Sequence, residues 1–367
     1  MNLPSSRIPW LDNIRVFACI LVIASHIVGQ FFVSPPFTPD NETFAWSSFY
    51  TVLVRVSIPL FFMISGALLL PVRDTTGQFL KKRFTRVLFP FLLWSAFYTV
   101  FPWSYETLTG NSFHSVFPLS QVTPDLETMG TNLLLIPLKF SVGIHLWYLY
   151  VLMGLYLFLP VISPWVEKAG KAAFAYFLLL WALTLLFPYL QTIFPSYLGK
   201  CPWNEYGALH SFSGYLGYMV LGCFLRKYPG NASFARTACW AVPCLAAAFW
   251  FTLHFYRTST AQAWSGFASI NVALMSVAFF VLFQSLPAFG AGSAPRRFLA
   301  DFSSMSFGIY LVHFVLVGAV YRLFGMLHLL FLPASLSIPL LTAATCLAAW
   351  GIIKLLSFLP GSRYLIG

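Results

Sequence analysis

The chain has 367 residues, 59% of them hydrophobic and only 8% charged, with a formal net charge of +11 and a mean hydropathy of +0.78. A soluble domain carries about 25% charged residues, so this composition excludes a soluble fold and specifies an all-α polytopic membrane protein. Its basic residues fall in short clusters between apolar runs, which reads as membrane topology rather than as a surface for nucleic acid.

About ten apolar segments follow one another, most of them long enough for a hydrocarbon core of ~30 Å. They run roughly over 10–32, 46–70, 84–103, 145–163, 172–190, 212–225, 237–256, 265–286, 303–324 and 336–356. The sixth is short and glycine-rich, and the apolar stretch 133–142 is too short to span, so it re-enters the membrane or lies at its surface. The first segment reads as a retained helix rather than a cleavable signal, because Asp12 and Arg15 interrupt it and no small-residue cleavage site follows.

With both termini on the cytoplasmic side, sixteen basic residues lie inside: Arg7, Arg15, Arg73, Lys81, Lys82, Arg83, Arg86, Lys168, Lys171, Arg226, Lys227, Arg236, Arg296, Arg297, Lys354 and Arg363. Only Lys139, Lys200, Arg257 and Arg322 lie outside, as the positive-inside rule requires. The acids Asp40, Glu42, Glu106, Asp125, Glu127 and Glu205 fall on the outer side, where 104–144 forms a long loop. Asn41-Glu42-Thr43 fits a glycosylation sequon. The six cysteines show no close pairing; Cys201 alone sits in an outer loop, and no metal-ligand spacing occurs.

The first segment carries Arg15 and, eleven positions on, His26, with nothing ionisable between them. At ~100° per residue both share one helical face, about 16 Å apart along the axis. The imidazole has two readings: a base that takes a proton from a hydroxyl, or a histidine bonded to a neighbouring helix for structure. Arg55 lies within the second span with no acid in that segment, so it requires a partner, a ligand or water. Arg83 and Arg86, one helical turn apart, suit either a phosphorylated ligand or lipid phosphates. His145 and Trp147 open the fourth span, where an aromatic belt is the plain alternative. Tyr310 and His313 share a face of the ninth.

Together these features resemble the membrane acyltransferase-3 family. The matching residues are Arg15 and His26 in the first helix, Pro59 to Gly66 (PLFFMISG), Arg83 and Arg86, Leu88 to Trp94 (LFPFLLW), His145 to Tyr150 (HLWYLY) and Ser306 to His313 (SFGIYLVH). They fall in family order over nearly the whole chain. WLDNIR near the start and RVSIPLFFMISG are similar to the branch that includes the O-acetyltransferase of enterobacterial common antigen.

The resemblance implies one integral-membrane domain over 1–367, without a fused hydrolase-like domain, in the bacterial inner membrane. It implies O-acyl transfer from cytoplasmic acetyl-CoA to a hydroxyl of a surface or lipid-linked sugar, with no metal and no nucleic acid. His26 is then catalytic, with Arg55 steadying the oxyanion or the acceptor. Arg15, Arg83 and Arg86 hold the phosphates of CoA, and His145, Trp147, Tyr310 and His313 bind substrate. Direct transfer and an acetyl-histidine intermediate fit equally well. The rivals are a transporter or flippase for a lipid-linked sugar or anion, and a sensor or assembly subunit without catalysis.

Overall fold

The computed structural model describes residues 7–33, 41–115, 125–136, 144–198, 207–230, 232–258, 266–290 and 292–367. Lys139, Lys200, Cys201, Asp40, Glu205 and most of the apolar stretch 133–142 lie outside them. Within the described residues all regular structure is helical. The principal helices are α1 (Pro9–Val33), α2 (Asn41–Val54), α3 (Ser57–Leu69), α4 (Thr76–Thr109), α5 (Leu126–Leu134) and α6 (Trp147–Lys168). They are followed by α7 (Lys171–Ile193), α8 (Leu216–Lys227), α9 (Phe234–Thr258), α10 (Ile270–Ser285), α11 (Ala294–Met326) and α12 (Ala334–Leu356).

Among the described residues eight candidate spans are long and apolar enough to cross a membrane, α2 and α3 together making one of them. Two of the ten expected segments are shorter as helices. The sixth begins only at Leu216, because Gly214 stands in the left-handed region at φ +84 just before it. At ~1.5 Å per residue, the 12 residues of α8 and the 16 of α10 fall short of a ~30 Å core. The third segment is instead longer than its apolar stretch. Thr75 and Gln78 cap α4 reciprocally, and Gly110 ends it at φ +67, so the outer loop starts at 110 rather than 104.

The second segment breaks at Arg55. Pro59 has no N–H to offer the Arg55 carbonyl, and α3 restarts with Leu60 donating to Val56 at 3.0 Å.

The chain divides into two compact units: residues 1–21, 51–73 and 159–303, and residues 22–50, 74–158 and 304–367. In the first, α3 and α8 touch backbone to backbone. A methyl on Gly66 would collide with the Met219 carbonyl, and one on Gly222 with that of Met63. Met63–Gly66 and Met219–Gly222 therefore make the same contact in both directions, a close approach that only small residues permit. Around it, Arg226 donates to the Ala67 carbonyl, Trp181 Nε1 to Gly214 at 3.0 Å and Tyr218 to Phe267 at 2.6 Å. Tyr189, Asn271 and Thr252 form a buried chain of hydrogen bonds. Such bonds are obligatory where no water reaches.

The second unit buries Ile23, Ile27, Phe31, Phe91, Leu146 and Leu149. Two side-chain bonds to distant carbonyls stitch its helices: Tyr50 to Ser335 at 3.0 Å, and Trp94 Nε1 to Leu365 at 2.9 Å.

Candidate active site

Four elements of the second unit converge on one cluster. His26 comes from α1, Tyr98 from α4, and His145 from the helical turn Ile144–Leu146 just before α6. Tyr310, His313 and Phe314 come from α11, where the spacing i, i+3, i+4 sets all three on one side.

The imidazole centroids of His26 and His313 are 5.2 Å apart, those of His145 and His313 5.1 Å, and those of His26 and His145 6.2 Å. Phe314 stacks on His145 at 4.9 Å and meets His26 edge-on at 5.3 Å. Tyr98 stands edge-on to His145 at 4.8 Å.

Backbone carbonyls hold the outer members of this group. Tyr98 donates its hydroxyl to Leu311 at 2.8 Å, and Tyr310 donates to the carbonyl of His145. His313 Nδ1 lies 2.6 Å from the Tyr310 carbonyl. A carbonyl only accepts, so Nδ1 carries the proton and Nε2 of the neutral ring presents its lone pair.

His313 and His145 are buried, whereas His26 is partly exposed. Nε2 of His313 and both ring nitrogens of His145 are buried without a hydrogen-bond partner among the described residues. Orphaned buried polar atoms are rare, and three in one cluster mark a site rather than a packing error. Among the described residues no carboxylate pairs with any of the three imidazoles.

The inner pair of cations lies on α4 of the same unit. The Arg83 guanidinium sits 5.6 Å from the centroid of Phe79, its Nε without a partner among the described residues, and Phe79 in turn meets Tyr156 edge-on at 6.2 Å. Arg86, one turn on, is exposed. Arg83 thus lies beside aromatic rings, with Arg86 a second cation one turn along the same helix.

Arg15 and Arg55 belong to the first unit. Arg15 is engaged: its Nη1 donates to Ser303 at 3.0 Å and pairs with Asp12 at 3.4 Å, while Ser303 donates to Asp12 at 2.6 Å. Among the described residues no carboxylate pairs with Arg55. Its guanidinium lies 5.4 Å from the ring of Phe267, and its Nε is buried without a partner among the described residues. The helix break at this position is where the sequence places its costliest residue.

Of the expected substrate residues, the structure gathers His145, Tyr310 and His313 around His26. Trp147 stands further out, its ring against Tyr148, which faces Tyr310 at 5.8 Å. Tyr98, Phe314, Phe267 and Ser303 were not anticipated as neighbours of these groups. Asp12 did leave a signal: it is the acid three positions before Arg15 on the same helix. Among the described residues no three His, Cys, Asp or Glu side chains are arranged to hold a metal ion.

A family model described as an acyltransferase domain (Acyl_transf_3) matches residues 8–354, which takes in every group described above. Comparisons with curated proteins and with solved structures found no match. The chain belongs to the acyltransferase 3 family and is a membrane acyltransferase.

Proposed function

We propose that this protein moves an acetyl group from cytoplasmic acetyl-CoA to a hydroxyl of a lipid-linked or surface sugar on the outer side of a bacterial inner membrane. The observation that carries the reading is the partly exposed His26, set among the buried His145 and His313 in a chain of this family. In this reading His26 takes the proton of the acceptor hydroxyl as its oxygen attacks the thioester carbonyl. The aromatic rings of Tyr98, Phe314 and Tyr310 supply an apolar surface around the reacting atoms.

Arg83 and Arg86, with Phe79 and Tyr156 alongside, hold the phosphates and adenine of CoA. Arg15, engaged with Asp12 and Ser303, is a further cation that the family resemblance assigns to CoA. Arg55, which pairs with no carboxylate among the described residues, holds an anionic or polarised oxygen of the acceptor. The charge bias of the loops supports cytoplasmic termini, and WLDNIR with RVSIPLFFMISG supports the common-antigen O-acetyltransferase branch.

The test is release of free CoA thiol by the protein in nanodiscs, given acetyl-CoA and a mixture of lipid-linked sugars. Wild type is expected to release thiol in proportion to acylated sugar, and His26→Ala, folded and monodisperse, to lose at least ~100-fold. Thiol release that survives His26→Ala removes His26 from the chemistry. No release with any acceptor, with no binding of CoA, points to transport of an anionic or lipid-linked sugar instead.

A further inference from the structure

His26 has its two imidazole neighbours for a reason that packing alone does not supply. A buried aromatic ring would fill the same space without burying ring nitrogens that lack partners among the described residues, which is costly. The cluster is therefore retained against a standing penalty, and its shared property is the capacity to take up and release a proton.

We infer that His313 and His145 form a proton relay behind His26, with His313 Nε2 as the first recipient. This deepens the acyl-transfer reading above and rests on it. Three features support the assignment. His313 is anchored through Nδ1 to the Tyr310 carbonyl, which turns its free lone pair into the cluster rather than into the helix. Its ring lies 5.2 Å from that of His26, a separation that a small rotation or one bridging water closes to a hydrogen bond. His145, in contact with both, has no side-chain hydrogen bond among the described residues, and a neutral imidazole accepts on one nitrogen and donates from the other.

The proton count closes. As the acceptor oxygen bonds to the acyl carbon, its O–H proton passes to His26 and on to His313. The thioester C–S bond breaks, and the proton returns through His26 to the sulphur, giving the ester and free thiol. In the acetyl-histidine alternative His26 is occupied by the acyl group when the hydroxyl attacks, and His313 is then the base at hand.

The groups facing the relay are few. On α4 it meets Tyr98, whose hydroxyl is committed to Leu311; on α11 it meets Tyr310, committed to the His145 carbonyl. From the turn before α6 comes His145, and from α1 His26. Among the described residues no charged side chain joins them, so a second positive charge has nothing to offset it, and the cluster takes up one added proton at a time.

His313→Gln tests the inference, because glutamine keeps an amide to bond the Tyr310 carbonyl but cannot exchange a proton. With acetyl-CoA and the same mixture of lipid-linked sugars, we expect kcat to fall by about 10- to 100-fold with KM for acetyl-CoA within about twofold. We also expect the pH profile of kcat to change shape and its solvent isotope effect to grow. His145→Gln serves as the second variant, with a smaller fall in kcat and the same change in profile. Wild-type kcat and pH profile in both folded glutamine variants, alongside an inactive His26→Ala, would overturn the relay and leave acyl transfer standing. Absence of thiol release in wild type would overturn both.

Discussion

His26, His313, Arg83 and Arg15 show how differently single ionisable residues are settled in this chain. Arg15 meets Asp12 and Ser303, a triangle of polar groups that offsets the cost of a cation in an apolar helix. Arg83 pairs with no carboxylate among the described residues and leans on Phe79. The two arginines should therefore respond differently to removal. Arg83→Gln is expected to raise KM for acetyl-CoA about tenfold, the effect of losing one charge-assisted contact, with kcat and thermal midpoint unchanged. Arg15→Gln should lower the thermal midpoint as well, since it leaves the carboxylate of Asp12 without its cation; Asp12→Asn in the same background should restore it. A scanning-fluorimetry series on the single and double variants, beside initial rates over a range of acetyl-CoA, separates the two behaviours.

Among the helices, the pair that depends most on residue size is α3 and α8. Each presents a glycine to the other's methionine backbone, and α8 is too short to hold its place by spanning alone. Gly66→Ala and Gly222→Ala are each expected to destabilise by ~1–3 kcal/mol, the usual range for overpacking a filled contact. A lowered midpoint in detergent reads this, and an unchanged midpoint in both would show that the crossing relaxes freely.

The interruption of the second span has a different cause. Pro59 removes one hydrogen bond at Arg55, and Pro59→Ala should let α2 and α3 join. If the break serves Arg55, that variant is expected to gain stability and lose turnover, measured as thermal midpoint against thiol release.

At the scale of the whole chain the eight apolar spans found among the described residues and the family match both speak for a membrane acyltransferase, whereas sidedness rests on loop charge. Cysteine placed at Gly170, between α6 and α7, is expected to be shielded from a membrane-impermeant thiol reagent in intact cells. Cysteine at Leu327, just after α11, is expected to be labelled, in both cases in a background lacking the native cysteines. The reverse pattern would invert the assigned orientation and with it the side from which CoA approaches His26.

Composition and the spacing of apolar runs determined the class of protein, because a bilayer permits few solutions to backbone hydrogen bonding and helices of about 20 residues are the commonest. The same physics limited the reading at α8 and α10, since hydropathy measures apolar length and not where a glycine turn or a cap ends the helix. Ordered motifs identified the family and singled out His26, Arg15, Arg55, Arg83 and Arg86, because charged and titratable groups are conspicuous in an apolar chain.

Which of them meet was decided by tertiary structure alone. His26, His145 and His313 are separated by more than a hundred residues at each step, and nothing in local sequence brings three imidazoles within about 6 Å. Tyr98 and Phe314, ordinary aromatics in apolar helices, became neighbours of the site only through the packing of α1, α4 and α11. The reciprocal contact of Gly66 and Gly222 was likewise invisible, because a glycine's place is set by what lies across from it.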